Sequence, residues 1–305
     1  MALEHRAFLY GGAEEFVSVA APYLRAGVEA GEAVVAVVRE PGLSALREEL
    51  APLAGEIDFF DSAGFYRHPV RTLKSYRELV ASKRPRRVRA LPEPVWHGRS
   101  ERERVEWARY ESLINVVFRG SGARALCPYD VEGLPGSVIE QARRTHPLLA
   151  DGGRTVASAD YVDPVVFGRD CDRAVRSAPP REAAYFPIES DDLHAMRAFV
   201  AGRAAAHGLG GQSARNLVTA VNEVAANALR HGSPPVGLRV WADGPDLVCE
   251  VGDNGVWRPD PLTGFVPPGS ALERGFGLWS VRLLVDLVEV RAGWDGTFVR
   301  LRAAR

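Results

Sequence analysis

Asn222-Glu223-Val224-Ala225-Ala226-Asn227-Ala228-Leu229-Arg230-His231 lies inside a segment of helical periodicity over residues 213–231. Glu223, Asn227 and His231 recur at every fourth position, which sets three polar groups along one stripe of that helix. Leu217, Val221, Val224 and Leu229 form the opposing stripe and are expected to face a core. A polar stripe also arises on any solvated helix, so the spacing alone assigns no chemistry. Two downstream elements give it context. Gly252-Asp253-Asn254-Gly255 closes a strand pattern, and Arg274-Gly275-Phe276-Gly277-Leu278 opens a helix. Paired glycines at a helix start expose backbone N–H groups and leave room for a phosphate to approach.

Outward from these elements, residues 183–305 read as one α+β domain. A short strand at 184–188 precedes a helix from 191 or 192 to about 207, with Leu193, Met196, Phe199 and Val200 on one face. Period-two alternation marks strands at 238–241, 247–251, 287–291 and 298–301, and Asp243-Gly244-Pro245-Asp246 supplies a hairpin turn between the first two. The expected architecture has helices on one face of a mixed, largely antiparallel sheet.

Taken in order, the three elements resemble the N, G1 and G2 boxes of the GHKL ATPases, a superfamily that includes histidine kinases and gyrase. The matching residues are Glu223-x-x-x-Asn227-x-x-x-His231, Asp253-x-Gly255 and Gly275-x-Gly277-Leu278-Trp279. Within that superfamily the segment is similar to the RsbW-like anti-sigma-factor serine kinases, whose last strand Gly296-Thr297-Phe298-Val299-Arg300-Leu301 also resembles. The resemblance implies a Bergerat-type α+β fold with ATP and Mg²⁺ as cofactors. It implies that Asn227 ligates Mg²⁺ through its amide oxygen, a neutral donor suited to one octahedral position. Glu223 would orient or deprotonate the attacking hydroxyl. Asp253 would accept a hydrogen bond from the adenine amino group, and Gly255 would keep that pocket open. Gly275 and Gly277 would let the backbone meet the phosphates while Arg274 counters their charge. His231, Phe276, Leu278 and Thr297 complete the implied nucleotide contacts. Residues 256–269, rich in Pro and Gly, are expected to form a mobile lid over ATP.

The resemblance further implies two protein partners, a STAS-fold anti-sigma antagonist phosphorylated on serine or threonine and an alternative sigma factor, together with a homodimer. The alternative is a binding module in which ATP is structural and regulation runs by partner exchange alone. Histidine kinase activity is not expected, because each of the seven histidines is followed by Arg, Pro, Gly or Ala and none has the acidic residue and proline of a phosphoacceptor. Nor is a gyrase-like machine, since about thirty residues follow Gly275 and leave no transducer domain.

The first half alternates strand and helix, with strands at 32–38, 57–60 and 123–127, the last stopped by Pro128, and helices at 43–50, 69–82 and 100–118. Ser100 and Glu103 make a capping-box pattern ahead of the third helix. This is an α/β pattern with a parallel sheet. Neither lysine belongs to a phosphate loop: Lys74 follows Arg71-Thr72-Leu73, and Lys83 sits in Ser82-Lys83-Arg84-Pro85, both without the required glycines. The basic run at 84–89 is read as a solvated face.

Glu93-Pro94-Val95-Trp96-His97-Gly98-Arg99-Ser100, Tyr110-Glu111-Ser112-Leu113-Ile114-Asn115, Leu126-Cys127-Pro128-Tyr129-Asp130 and Ala142-Arg143-Arg144-Thr145-His146-Pro147 are similar to the MEDS sensory domain. One departure is His68 before Pro69, where that family usually has Asn. The resemblance implies a RecA-like fold without a phosphate loop that senses a small-molecule ligand, and the pairing with an RsbW-like ATPase resembles the RsbA-family regulators. Trp96, Tyr110, Cys127 and Tyr129 are expected to pack in the core, with a ligand pocket as the alternative. The separations of His97, Cys127 and His146 match no known metal-ligand spacing, so no metal site is expected among them. Expected domains are 1–155 and 183–305, joined by a linker at 156–182 that holds Pro164 and Ser177-Ala178-Pro179-Pro180.

The composition, 46% hydrophobic and 25% charged, excludes a disordered chain. A formal net charge of −1 removes the broad positive field that would attract nucleic acid or anionic lipid. No apolar segment approaches the ~20 residues of a membrane span, so a cytoplasmic protein is expected. Cys127, Cys171 and Cys249 are far apart and are read as buried free thiols.

Overall fold

The hexapeptide Ala33–Val38 is buried at every position, as an inner strand of a parallel sheet covered on both faces must be. It forms β2 of the first unit, where β1 (Glu4–Tyr10) and α1 (Ala13–Glu29) precede it. After it come α2 (Gly42–Glu49), β3 (Ile57–Asp61), α3 (Ser62–Phe65), α4 (Pro69–Ser82), β4 (Val88–Pro92), α5 (Glu101–Val117), β5 (Arg124–Asp130), α6 (Gly136–Thr145), β6 (Leu148–Asp151), β7 (Arg154–Ala157) and α7 (Pro164–Arg173). The sheet order is β3-β2-β4-β5-β1-β6-β7, parallel except where β7 turns back on β6. This computed structural model describes residues 2–305 apart from 152–153, 174–176, 190–192 and 268–275, and not the side chains of Asp151 and Phe276.

The capping box forms as its sequence pattern requires. Ser100 Oγ accepts from the Glu103 N–H at 3.3 Å, and Glu103 Oε2 accepts from the Ser100 N–H at 2.8 Å. Three expectations change. β5 does not stop at Pro128 but runs to Asp130. Its ladder to β4 ends at Ala125, so the missing N–H of Pro128 costs no rung on that side. The basic run at 84–89 is not a solvated face throughout. Arg89 lies in β4, 7% exposed, with Nε donating to Glu32 Oε2 at 2.5 Å and Nη1 to the Tyr23 carbonyl at 3.0 Å, the pairing a buried charge needs. Residues 156–182 are not merely a linker, since Pro164 begins α7 at the one helical turn where a missing N–H is free, instead of breaking a pattern. The chain divides into two compact units, Met1–Phe167 and Gly168–Arg305.

The second unit contains β8 (Ala184–Ile188), α8 (Leu193–His207), α9 (Gly211–His231), β9 (Val236–Asp243), β10 (Asp246–Asp253), α10 (Phe276–Leu284), β11 (Leu287–Gly293) and β12 (Gly296–Ala304). Its sheet order is β11-β12-β10-β9-β8. Every neighbouring pair is antiparallel, so the expected mixed sheet is corrected to a wholly antiparallel one. Short hairpins join β9 to β10 and β11 to β12, and antiparallel neighbours need nothing longer. Alternate residues of one face, among them Leu247, Cys249, Val251, Val299 and Leu301, share a core with Met196 and Val200 of α8, Leu217, Val221 and Val224 of α9, and Val281 of α10. All three helices therefore cover the same face. That burial turns the opposing stripe of α9 toward the site.

Candidate functional site

The polar stripe of α9 carries Glu223 and Asn227 one turn apart, both half-buried. Asn227 Nδ2 donates to Glu223 Oε1 at 3.4 Å, which leaves the amide oxygen of Asn227 and the second carboxylate oxygen of Glu223 for a ligand. The start of α10 is pressed against the same two residues. A Cβ added at Gly277 would lie 2.2 Å from Glu223 Oε1 and 2.9 Å from Asn227 Nδ2, so any side chain there would push the ends of both residues aside.

Asp253 ends β10 and is 6% exposed. Its Oδ1 accepts from the Gly255 N–H at 2.6 Å and the Ser233 N–H at 3.2 Å. Oδ2 is left with no hydrogen-bond partner among the described residues. Two close approaches enforce this arrangement: a Cβ at Gly232 would lie 2.5 Å from Asp253 Oδ1, and one at Gly255 would lie 2.7 Å from it. Thr297 stands opposite Asp253 in the β10–β12 register and donates to the Gly255 carbonyl at 2.9 Å, fastening the loop. Sequence reasoning missed Gly232 and the Ser233 amide. The signal for Gly232 was present, a glycine following the last residue of a helix, whereas a backbone donor leaves no mark on the sequence.

Leu278 packs on the core and fills the space left at Gly264, where a Cβ would lie 2.8 Å from Leu278 Cγ. His231 ends α9, exposed and, among the described residues, without a hydrogen bond to the other site residues. Arg274, Gly275 and the side chain of Phe276 lie outside the described residues. The described part of the expected lid, 256–267, is irregular but anchored: Trp257 packs on the core, and Phe265 is 2% exposed beneath the Arg282 guanidinium, 4.2 Å from ring centroid to Cζ.

Residues 4–147 match the MEDS family, the MEthanogen/methylotroph, DcmR Sensory domain, and residues 186–303 match the histidine kinase-like ATPase domain. The chain joins a MEDS domain to a histidine kinase-like ATPase domain. No curated protein matches it. Similar solved structures include the RsbU and RsbW domains of Rv1364c from Mycobacterium tuberculosis, at 18% identity and TM-score 0.31, with 42% of this chain and 33% of that chain covered. The Acinetobacter baumannii histidine kinase AdeS is another, at 10% identity and TM-score 0.27, covering 40% and 67%. A third is a blue-light activated histidine kinase from Erythrobacter litoralis, at 16% identity and TM-score 0.25, covering 69% and 62%. This chain thus spans about a third of the M. tuberculosis chain, and likenesses this faint say nothing of activity.

ATP with Mg²⁺ is the ligand that an ATPase domain implies, and the donors fit it. The ATPase domain offers a neutral amide oxygen, a carboxylate one helical turn away, a second carboxylate oxygen on the largely buried Asp253 and a glycine at a helix start. In the MEDS domain, Trp96, Tyr110, Cys127 and Tyr129 are all buried. Tyr110 and Cys127 border a partly open cavity of about 50 Å³ together with Tyr66 and Tyr76, whereas Trp96 and Tyr129 face each other with ring centroids 6.1 Å apart. Among the described residues no helix is long and apolar enough to cross a membrane.

Proposed function

We propose that this chain is a regulatory kinase of the RsbW kind. In this reading the ATPase domain binds Mg-ATP and phosphorylates a serine or threonine of a STAS-fold anti-sigma antagonist. It holds an alternative sigma factor when the antagonist is modified, and the MEDS domain gates the exchange through a small-molecule ligand. The observation that carries the proposal is the meeting of Glu223, Asn227 and Gly277 at one contact. ATP with Mg²⁺ supplies the transferable phosphoryl group and neutralises its charge when bound. Asn227 holds the metal through its free amide oxygen. Glu223 takes the proton of the incoming hydroxyl through the carboxylate oxygen that Asn227 does not use. Asp253 Oδ2 accepts from the adenine amino group.

Incubation with γ-labelled ATP and a candidate STAS partner tests this. Wild type is expected to label the partner with acid-stable phosphate, and Glu223→Ala to lose roughly 100-fold or more in rate while still binding Mg-ATP. Acid-labile label on the chain itself would instead make it a histidine kinase. Binding by both proteins with no label in either would leave partner exchange alone.

Gly277→Ala probes the contact. The three atoms nearest the added methyl are the flexible ends of Glu223 and Asn227, so the fold should stand while those two groups are pushed aside. A thermal midpoint near that of wild type with Mg-ATP affinity reduced by about tenfold or more is the expected outcome. Unchanged affinity by calorimetry would remove Gly277 from the site.

A further inference from the structure

Four ligand-type side chains converge inside the MEDS domain, on elements far apart in sequence. His5 lies on β1, Glu111 on α5, Cys127 on β5 and His146 just after α6, and their donor atoms all lie within 4.8 Å of one another. Cys127 Sγ is 3.4 Å from His5 Nε2, and Glu111 Oε2 is 3.7 Å from His5 Nε2 and 3.6 Å from His146 Nε2. The four residues are at most 3% exposed.

The surrounding hydrogen bonds fix which imidazole nitrogen faces inward. Asn115 uses its Nδ2 to donate to the carbonyls of Ser112 and Thr145, so its Oδ1, 3.0 Å from His5 Nδ1, must accept from a protonated Nδ1. His146 Nδ1 is 2.8 Å from the Ala142 carbonyl and must likewise donate. As neutral imidazoles both rings then turn an Nε2 lone pair toward the Glu111 carboxylate, and His146 Nε2 is buried with no hydrogen-bond partner. Among the described residues Glu111 pairs with no lysine or arginine. Buried lone pairs and a buried carboxylate facing one another are satisfied by a cation held between them.

We propose that His5, Glu111, Cys127 and His146 form a buried site for one divalent transition-metal ion of the zinc class. Tetrahedral zinc with bonds of about 2.0–2.3 Å separates its ligand atoms by roughly 3.3–3.7 Å, the range of the Cys127–His5, Glu111–His5 and Glu111–His146 pairs. Two neutral imidazoles, a carboxylate and a thiolate balance a dication, so the filled site is neutral in the interior, and the Cys127 proton leaves to solvent on binding. Imidazole and thiolate favour zinc, cobalt or copper over magnesium or calcium. Nδ1–H bonds to Asn115 and to the Ala142 carbonyl are the outer partners that orient metal-binding histidines. His5, Glu111 and Cys127 also border the cavity of about 50 Å³, room for water or a comparably small ligand beside the ion.

The test is titration of the full chain, stripped with a chelator, with Co²⁺ and then Zn²⁺. One cobalt per chain should bind, with the strong visible bands of tetrahedral coordination and a near-ultraviolet thiolate-to-cobalt absorption, both erased by Zn²⁺. Cys127→Ser should lose the thiolate band and Cys249→Ala should keep it, while His146→Ala should weaken cobalt binding by about 100-fold or more. The spectrum of the unmutated chain decides the matter even where a variant fails to fold. No tetrahedral spectrum, or a thiolate band that survives Cys127→Ser, overturns the proposal. So does a thermal midpoint of the MEDS domain indifferent to Zn²⁺.

Discussion

Asp253→Asn is expected to lower the affinity for ATP by about 1,000-fold while the domain remains folded. The side chain keeps its shape, and the amide oxygen can still accept from the Gly255 and Ser233 N–H groups that Asp253 Oδ1 now serves at 2.6 and 3.2 Å. Holding those two bonds turns the new NH₂ toward the place of Oδ2. A donor then meets the adenine amino group, also a donor, and two buried N–H groups oppose each other without an acceptor. Guanine carries a carbonyl where adenine carries that amino group, so the same change should raise the affinity for GTP relative to ATP. Calorimetric titration of both nucleotides into both proteins measures this. Equal ATP affinity in the variant would mean that Asp253 only ties the loop between Ser233 and Gly255, and the adenine assignment would fall.

The parts of this molecule that could be read from the sequence are those in which neighbours along the chain make the structure. The four-residue spacing of Glu223 and Asn227 is a property of one helix, and Ser100 with Glu103 is a property of one helical turn. Both survive in the structure. The core stripe of α9 was legible for the same reason. The edges were harder. Pro128 punctuates a strand only if its N–H is needed, and whether a neighbouring ladder needs it is decided by β4, some forty residues earlier. Arg89 reads as surface charge until Glu32 arrives beside it across the sheet. The cluster of His5, Glu111, Cys127 and His146 is the extreme case. His5 and Cys127 are 122 positions apart and meet only because β1 and β5 are neighbours in a parallel sheet. Sequence spacing grouped Cys127 and His146 with His97, which is exposed, and had no means of seeing that His5 and Glu111 join the first two.

Glu250→Ala should destabilise the ATPase domain by about 3–5 kcal/mol, the cost of stranding a buried charge. Glu250 on β10 stands opposite Arg300 on β12, on the sheet face turned away from the three helices. Their side chains pair through Arg300 Nε and Glu250 Oε2, at 2% exposure for Glu250 and 4% for Arg300. Arg300 also donates to the hydroxyl and carbonyl of Ser177, and its guanidinium lies over the Trp241 ring at 5.2 Å. Those contacts hold the guanidinium in place once Glu250 is gone but bring no negative charge to it. Glu250→Gln retains an acceptor and should cost about 1–3 kcal/mol. Joint replacement of both residues by leucine removes the charge along with its partner and should restore most of the loss, because an apolar pair in the same volume needs no desolvation. Urea unfolding of the full chain separates these outcomes, since the transition of the ATPase domain should move and that of the MEDS domain should not. A loss below about 1 kcal/mol in Glu250→Ala would show that water reaches Arg300 and that the pair belongs to the surface.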